Sequence, residues 1–167
     1  MVIIVMGVSG AGKSVVGRLL AQTLGMVFAE GDGFHPPANV EKMRDGTPLT
    51  DDDRLPWLAD LAAAIDGWRA EGRSTVLTCS ALKRRYRDII KGGRDGVLLV
   101  HLKGSEELIR SRLSERRHEY MPASLLASQF ATLEEPDPSE NPVAIDIAGT
   151  PEAIVSAIVE HLPIQEA

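Results

Sequence analysis

Residues Met1 to Leu24 read MVIIVMGVSGAGKSVVGRLLAQTL, and three patterns inside them set the architecture of the whole chain. Six apolar residues rich in Val and Ile come first. Gly7-Val8-Ser9-Gly10-Ala11-Gly12-Lys13-Ser14 follows, and then Val16, Leu19, Leu20 and Leu24 recur at helical spacing. The order is strand, glycine loop, helix. The spacing G-x-x-x-x-G-K-S in that context is the phosphate-cradling P-loop. A triphosphate brings several negative charges against the main chain, so the loop must turn tightly and aim N–H groups inward. Gly7, Gly10 and Gly12 permit such angles and leave no Cβ in the way. The helix adds its unpaired N-terminal N–H groups and the positive end of its dipole. Gly7 to Ser14 are therefore candidate nucleotide-binding residues. Lys13 can reach the β- and γ-phosphates, which makes it a candidate catalytic residue, and the Ser14 hydroxyl is placed to ligate Mg²⁺.

Moving outward, 167 residues suit one domain with a substantial core. Composition is that of a soluble globular protein, with 44% hydrophobic and 25% charged residues. No apolar run approaches the roughly 18 residues of a membrane span. Met1 to Met6 is too short, and lacks the basic start, for a signal peptide. A cytoplasmic enzyme with no membrane partner is the expectation. Cys79 is the only cysteine, which agrees with a reducing compartment, and its apolar surroundings in sequence assign it to the core. The net charge of −6 argues against general nucleic-acid binding. Its distribution is uneven: Lys83 to Arg117 holds eleven Lys or Arg against five Asp or Glu. Some of these cations are expected around an anionic substrate and the triphosphate.

Along the chain, strands alternate with helices. Met26 to Ala29 reads as a second strand ending in Glu30-Gly31-Asp32-Gly33. Carboxylates just past a strand end sit in the ligand crevice of an open α/β sheet, so Asp32 is expected to face the phosphates. Ala38 to Arg44 forms a short helix. Thr50 caps a long one carrying Leu55, Leu58, Leu61, Ala62, Ile65 and Trp68 on its inner face. Ser74 to Cys79 is a buried strand, Lys83 to Lys91 a basic helix, Val97 to Leu102 a strand, and Ser105 to Arg117 a helix. Pro122 begins another helix through Leu133. Val143 to Ile147 is the last strand, and Thr150 and Pro151 start the last helix. The result is an α/β protein, a three-layer α/β/α P-loop kinase fold with a five-stranded parallel sheet. Residues 36–53 and 112–142 exceed a minimal βα repeat; in a kinase of this size they would be the substrate-binding segment and the lid.

A P-loop implies a nucleotide, not a reaction. The third and fourth strands end Cys79-Ser80 and Leu102-Lys103, without the acid of motor ATPases and helicases. The Asn-Lys-x-Asp run of GTPases is absent as well. Small kinases remain, acting on shikimate, adenylylsulfate, a nucleoside monophosphate or a sugar acid. A catalytically silent nucleotide sensor is the reading from another class; intact Lys13, Ser14 and Asp32 speak against it.

Four blocks narrow this choice. They are Gly31-Asp32-Gly33-Phe34-His35-Pro36-Pro37-Ala38-Asn39-Val40-Glu41-Lys42-Met43, Gly46 to Leu58 (GTPLTDDDRLPWL), Cys79 to Asp88 (CSALKRRYRD), and Leu125 to Glu134 (LLASQFATLE). With the P-loop they cover most of the chain, in order, and resemble the signature of the bacterial-type gluconokinases. The resemblance implies ATP- and Mg²⁺-dependent phosphorylation of D-gluconate at its 6-hydroxyl, commonly by a homodimer. It departs at His118-Glu119-Tyr120, where many members have Gly-His-Phe, so the lid's contacts are expected to differ there while the reaction is not.

For such a reaction Asp32 is the candidate to orient the 6-hydroxyl and accept its proton. Arg54, Lys83 and Arg87 are candidates for the gluconate carboxylate, since a planar Arg fork binds it through two hydrogen bonds. His35 and Asn39 suit its hydroxyls. Arg112, Arg116 and Arg117 are lid candidates. Arg112 and Arg116, one helical turn apart, suit the nucleotide phosphates, with Arg116 also assigned to the transition state. The base pocket is expected near Gly149 to Pro151. His101 and His161 read as structural or surface residues.

Overall fold

The apolar run at the start forms the central strand β1 (Val2–Met6), and every one of its residues is buried. Ile3 and Val5 face one side of the sheet; Val2, Ile4 and Met6 face the other. A strand covered on both faces has no solvated side to mark with polar residues, which is why the run is continuous rather than alternating.

The computed structural model describes residues 1–115 and 123–163. After β1 come α1 (Lys13–Leu24), β2 (Val27–Glu30), a 3₁₀ turn (Gly31–Phe34), α2 (Pro37–Arg44) and α3 (Asp51–Ala70). Then follow β3 (Thr75–Thr78), α4 (Arg84–Ile90), β4 (Val97–Lys103), α5 (Glu106–Glu115) and α6 (Ala123–Thr132). A 3₁₀ turn (Pro138–Glu140), β5 (Val143–Asp146) and α7 (Pro151–His161) complete the described chain. The five strands run parallel in the order β2-β3-β1-β4-β5. Residues of α1, α5 and α7 pack on one face: Val16, Leu20, Ile109, Ile154 and Ile158 meet Ile3, Val5, Val76 and Val100. Trp57, Leu58, Leu61 and Ile65 of α3, with Tyr86 and Ile90 of α4, cover the other. Among the described residues, no helix is long and apolar enough to cross a membrane.

Local signals set the helix ends. Thr50 Oγ1 accepts the Asp53 N–H and Asp53 Oδ2 accepts the Thr50 N–H, a reciprocal capping box that starts α3. Asp53 also accepts from Lys42, and these hydrogen bonds pull its carboxyl down to about 2. The inner face of α3 differs in one respect from its sequence pattern. Leu55 is exposed, whereas Trp57 is buried and donates its indole N–H to the Gly31 carbonyl at 2.8 Å. Helical spacing alone does not show that a strand tip supplies a buried acceptor there.

From β3 the chain crosses over β1 to reach β4, so the winding reverses at β1. Ligands of open α/β sheets bind at the carboxyl ends of strands at such a reversal. The glycine loop leaves β1 at that point.

Candidate active site

The loop from Gly7 to Ser14 turns through left-handed angles at Gly10 (φ 82°) and Gly12 (φ 90°), which side-chain-bearing residues rarely adopt. A Cβ on Gly10 would also lie 2.9 Å from Ile109 and Leu113 of α5. Lys13 folds back over the loop, its Nζ donating to the Gly7 carbonyl at 2.9 Å and the Val8 carbonyl at 3.0 Å. Burial pushes this ammonium below its usual pKa, and the negative charges of Asp32 and Glu30 oppose the shift. The Ser14 hydroxyl donates to Glu30 at the tip of β2. Glu30 also accepts from Thr78 at 3.3 Å and pairs with Arg18 at 3.5 Å.

A cavity of about 560 Å³ opens beside the loop. Ser9 and Lys13 line it from the loop, Asp32 and His35 from the turn after β2, and Arg54 and Trp57 from α3. Residues 43–49 form another part of its wall, and Leu125, Ser128, Gln129 and Thr132 contribute from α6. The turn holding Asp32 is set by a close approach: a Cβ on Gly31 would stand 2.0 Å from the Thr78 carbonyl oxygen. His35 stacks on Trp57 with ring centroids 4.1 Å apart. Its Nδ1 lies 3.2 Å from the Asn39 amide nitrogen, which can only donate, so Nδ1 is the acceptor and the neutral ring carries its proton on Nε2. Burial, with help from Arg54 and against Asp32, keeps the imidazole below its usual pKa. Arg54 donates from Nη1 to the Leu49 carbonyl at 2.7 Å and to the Tyr86 hydroxyl at 3.2 Å. Tyr86 in turn donates to Asp51.

The cavity brings together Ser9, Lys13, Asp32, His35 and Arg54 of the residues singled out in the sequence. Arg87 is not among them, which corrects the expectation that it meets a ligand carboxylate. It is 1% exposed, with Nε 2.7 Å from Glu140 Oε1 and Nη1 donating to the Ala81 and Leu82 carbonyls. Its donors hold the protein together instead. Lys83 likewise turns to Asp51 at 3.0 Å and does not line the cavity. Asn39 is buried and bonds His35 and the Asp53 carbonyl, so it supports the imidazole rather than facing a ligand.

Arg112 lines a second cavity of about 450 Å³ with Gly10, Gly12, Val15, Gly149 and Pro151. Arg116, Arg117 and His118-Glu119-Tyr120 lie outside the described residues. The sequence pattern missed two further participants. Glu30 was legible as the first acid after the β2 apolar run. Gln129, which grips Ser9, carries no local signal.

A phosphate loop whose lysine shares one cavity with a carboxylate and a guanidinium can hold a phosphoryl donor against an anionic acceptor. At the reversal point of a five-stranded parallel sheet, that arrangement belongs to the P-loop small-molecule kinases. The fold recurs in shikimate kinase from Aquifex aeolicus, at 16% identity over 96% of this chain and 94% of that one, with a TM-score of 0.62. A family model described as an AAA domain matches residues 2–136. A gluconokinase from Gluconobacter oxydans is 44% identical over 98% of this chain and 92% of its own length. The crystal structure of a gluconokinase from Sinorhizobium meliloti 1021 shares 46% identity, covering 95% of this chain and 89% of that one, with a TM-score of 0.84. The chain belongs to the gluconokinase family.

Proposed function

We propose that this protein transfers the γ-phosphoryl group of ATP to the 6-hydroxyl of D-gluconate, giving 6-phosphogluconate and ADP. The observation that carries the reading is the shared cavity. Lys13 and Asp32 line it together with Arg54, whose guanidinium has no carboxylate partner among the described residues.

Phosphoryl transfer asks the protein to align donor with acceptor and to neutralise charge on the transferring group. Two of the three Lys13 ammonium protons go to the Gly7 and Val8 carbonyls, and the third remains for a β- or γ-phosphate oxygen. The loop N–H groups and the N-terminus of α1 take the other phosphate oxygens. Asp32 orients the 6-hydroxyl and accepts its proton as the new O–P bond forms. Arg54 Nε and Nη2, which neither Leu49 nor Tyr86 engages, form a planar fork for the gluconate carboxylate. The His35 Nε2–H donates to a sugar hydroxyl.

Ser14 and Glu30 are hard oxygen donors lying against each other at the β2 tip, and they fit Mg²⁺. Ser14 would hold the ion with Glu30 beside it, and Mg²⁺ when bound would neutralise charge on the β- and γ-phosphates. Residues 36–53 act as the substrate-binding segment and 112–142 as the lid, whose Arg112 and Arg116 meet the nucleotide phosphates. Closure over both ligands excludes water. Membership of the family supports a homodimer working in the cytoplasm; sedimentation at micromolar concentration tests the dimer.

The deciding experiment is ADP release with Mg-ATP, comparing D-gluconate with shikimate, other sugar acids, adenylylsulfate and AMP. Stimulation by gluconate alone supports the reading. A different preferred acceptor would reassign Arg54 and His35. ATP binding with no productive acceptor would favour a silent nucleotide sensor.

A further inference from the structure

Gln129 of α6 bonds the phosphate loop twice. The Ser9 N–H donates to Gln129 Oε1 at 2.6 Å, and Gln129 Nε2 donates to Ser9 Oγ at 2.8 Å. A main-chain N–H can only donate, so the carboxamide has one possible orientation there. The Ser9 N–H and the Val8 carbonyl belong to the same planar peptide unit. That carbonyl is one of the two docks of the Lys13 ammonium, at 3.0 Å. The Val8–Ser9 peptide is therefore held at both ends, by Gln129 on its N–H and by Lys13 on its oxygen. Hydrogen bonds in such a chain polarise and strengthen one another.

Gln129 also lines the 560 Å³ cavity, beside Leu125, Ser128 and Thr132 on α6. At its far end α6 is fixed independently, Leu126 being buried in the core and the Glu134 N–H donating to the Leu82 carbonyl at 2.8 Å. One wall of the acceptor cavity is thus joined by two hydrogen bonds to the loop that carries the lysine.

We propose that Gln129 is a positioning residue for phosphoryl transfer: it fixes the Val8–Ser9 peptide on which Lys13 docks and keeps the acceptor wall in register with the phosphate loop. This rests on the kinase reading above. Because a misplacement of about 1 Å can lower a rate by about a hundredfold, loss of the grip acts on turnover more than on binding.

Gln129→Met keeps most of the side-chain volume and removes both hydrogen bonds. It should lower kcat with gluconate by at least about tenfold while leaving both KM values within about threefold. Amide hydrogen exchange supplies a readout independent of acceptor identity: the Ser9 N–H should exchange at least about tenfold faster than in the wild type. Unchanged kcat, or a gluconate KM raised tenfold with kcat kept, overturns the proposal, as does unchanged Ser9 protection. If Gln129→Met does not fold, Gln129→Asn, which withdraws the carboxamide by one methylene, is held to the same limits. A wild type without gluconate-dependent ADP release sinks the substrate reading instead, and the exchange measurement still judges Gln129.

Discussion

Replacing Arg87 by Ala should destabilise the protein severely while sparing its affinity for gluconate. Arg87 on α4 and Glu140 in the turn before β5 are 1% and 7% exposed, and they meet through two nitrogen–oxygen contacts of 2.7 and 3.3 Å. The same guanidinium binds the Ala81 and Leu82 carbonyls, and the Asp137 N–H completes the Glu140 carboxylate at 2.7 Å. Removing one partner of a buried pair leaves an uncompensated charge, which costs about 3–5 kcal/mol. Folded domains hold only about 5–15 kcal/mol in all, so this is a large share. For a chain of this size the loss corresponds to about 6–20 °C in Tm. Urea unfolding followed by circular dichroism measures it directly.

The deficit should also depend on pH in a set direction. Burial alone would raise the Glu140 carboxyl, but the hydrogen bonds from Arg87 and the Asp137 N–H hold it below its ordinary 4.5. A depressed carboxyl contributes stability that is present above 4.5 and lost as pH falls through the folded value. The gap between Arg87→Ala and the wild type should therefore be widest near neutrality and shrink in acid. The double variant Arg87→Met/Glu140→Leu should recover part of the loss, because no buried charge remains while the Ala81 carbonyl and the Asp137 N–H lose their partners. An Arg87→Ala protein with the wild-type urea midpoint and a gluconate KM raised tenfold would refute the argument and return this guanidinium to the substrate.

Asp32→Asn should lower kcat by about a hundredfold or more with unchanged thermal unfolding, the range for loss of a general base; near-normal turnover would end that assignment. His35 is held neutral, its pKa depressed from 6.5, so the gluconate KM should stay flat above that pH and rise as pH falls through the folded value. A His35→Ala variant that kept the acid limb would show that another group titrates. Burial pushes the Cys79 thiol up to about 12, so the native protein should not react with a disulfide reagent at pH 8 until it is unfolded by urea.

Much of the architecture was legible because its determinants are close together in the chain. A continuous Val and Ile run before a glycine loop marks a strand covered on both faces. Thr50 and Thr150 cap helices through bonds to residues only three positions on. The Asp32 position followed from the rule that loops after parallel strands gather at one edge of the sheet. Side-chain partners across the fold were not legible. An Arg in a basic helix reads as a ligand for anions or as a solvated charge. Nothing within a few residues of Arg87 shows that Glu140, 53 positions later, will enclose it. The partner of Lys83 was hidden for the same reason, since Asp51 reaches it from another helix. Gln129 and Ser9 lie 120 residues apart, and neither type announces the other. Repeating patterns of 2 and 3.6 residues and local caps encode the elements, so the sequence by itself determined the phosphate loop, the layers and the family. Which cation faces a ligand and which is consumed by the protein depends on what the crossovers bring beside it, and only the tertiary structure decided that.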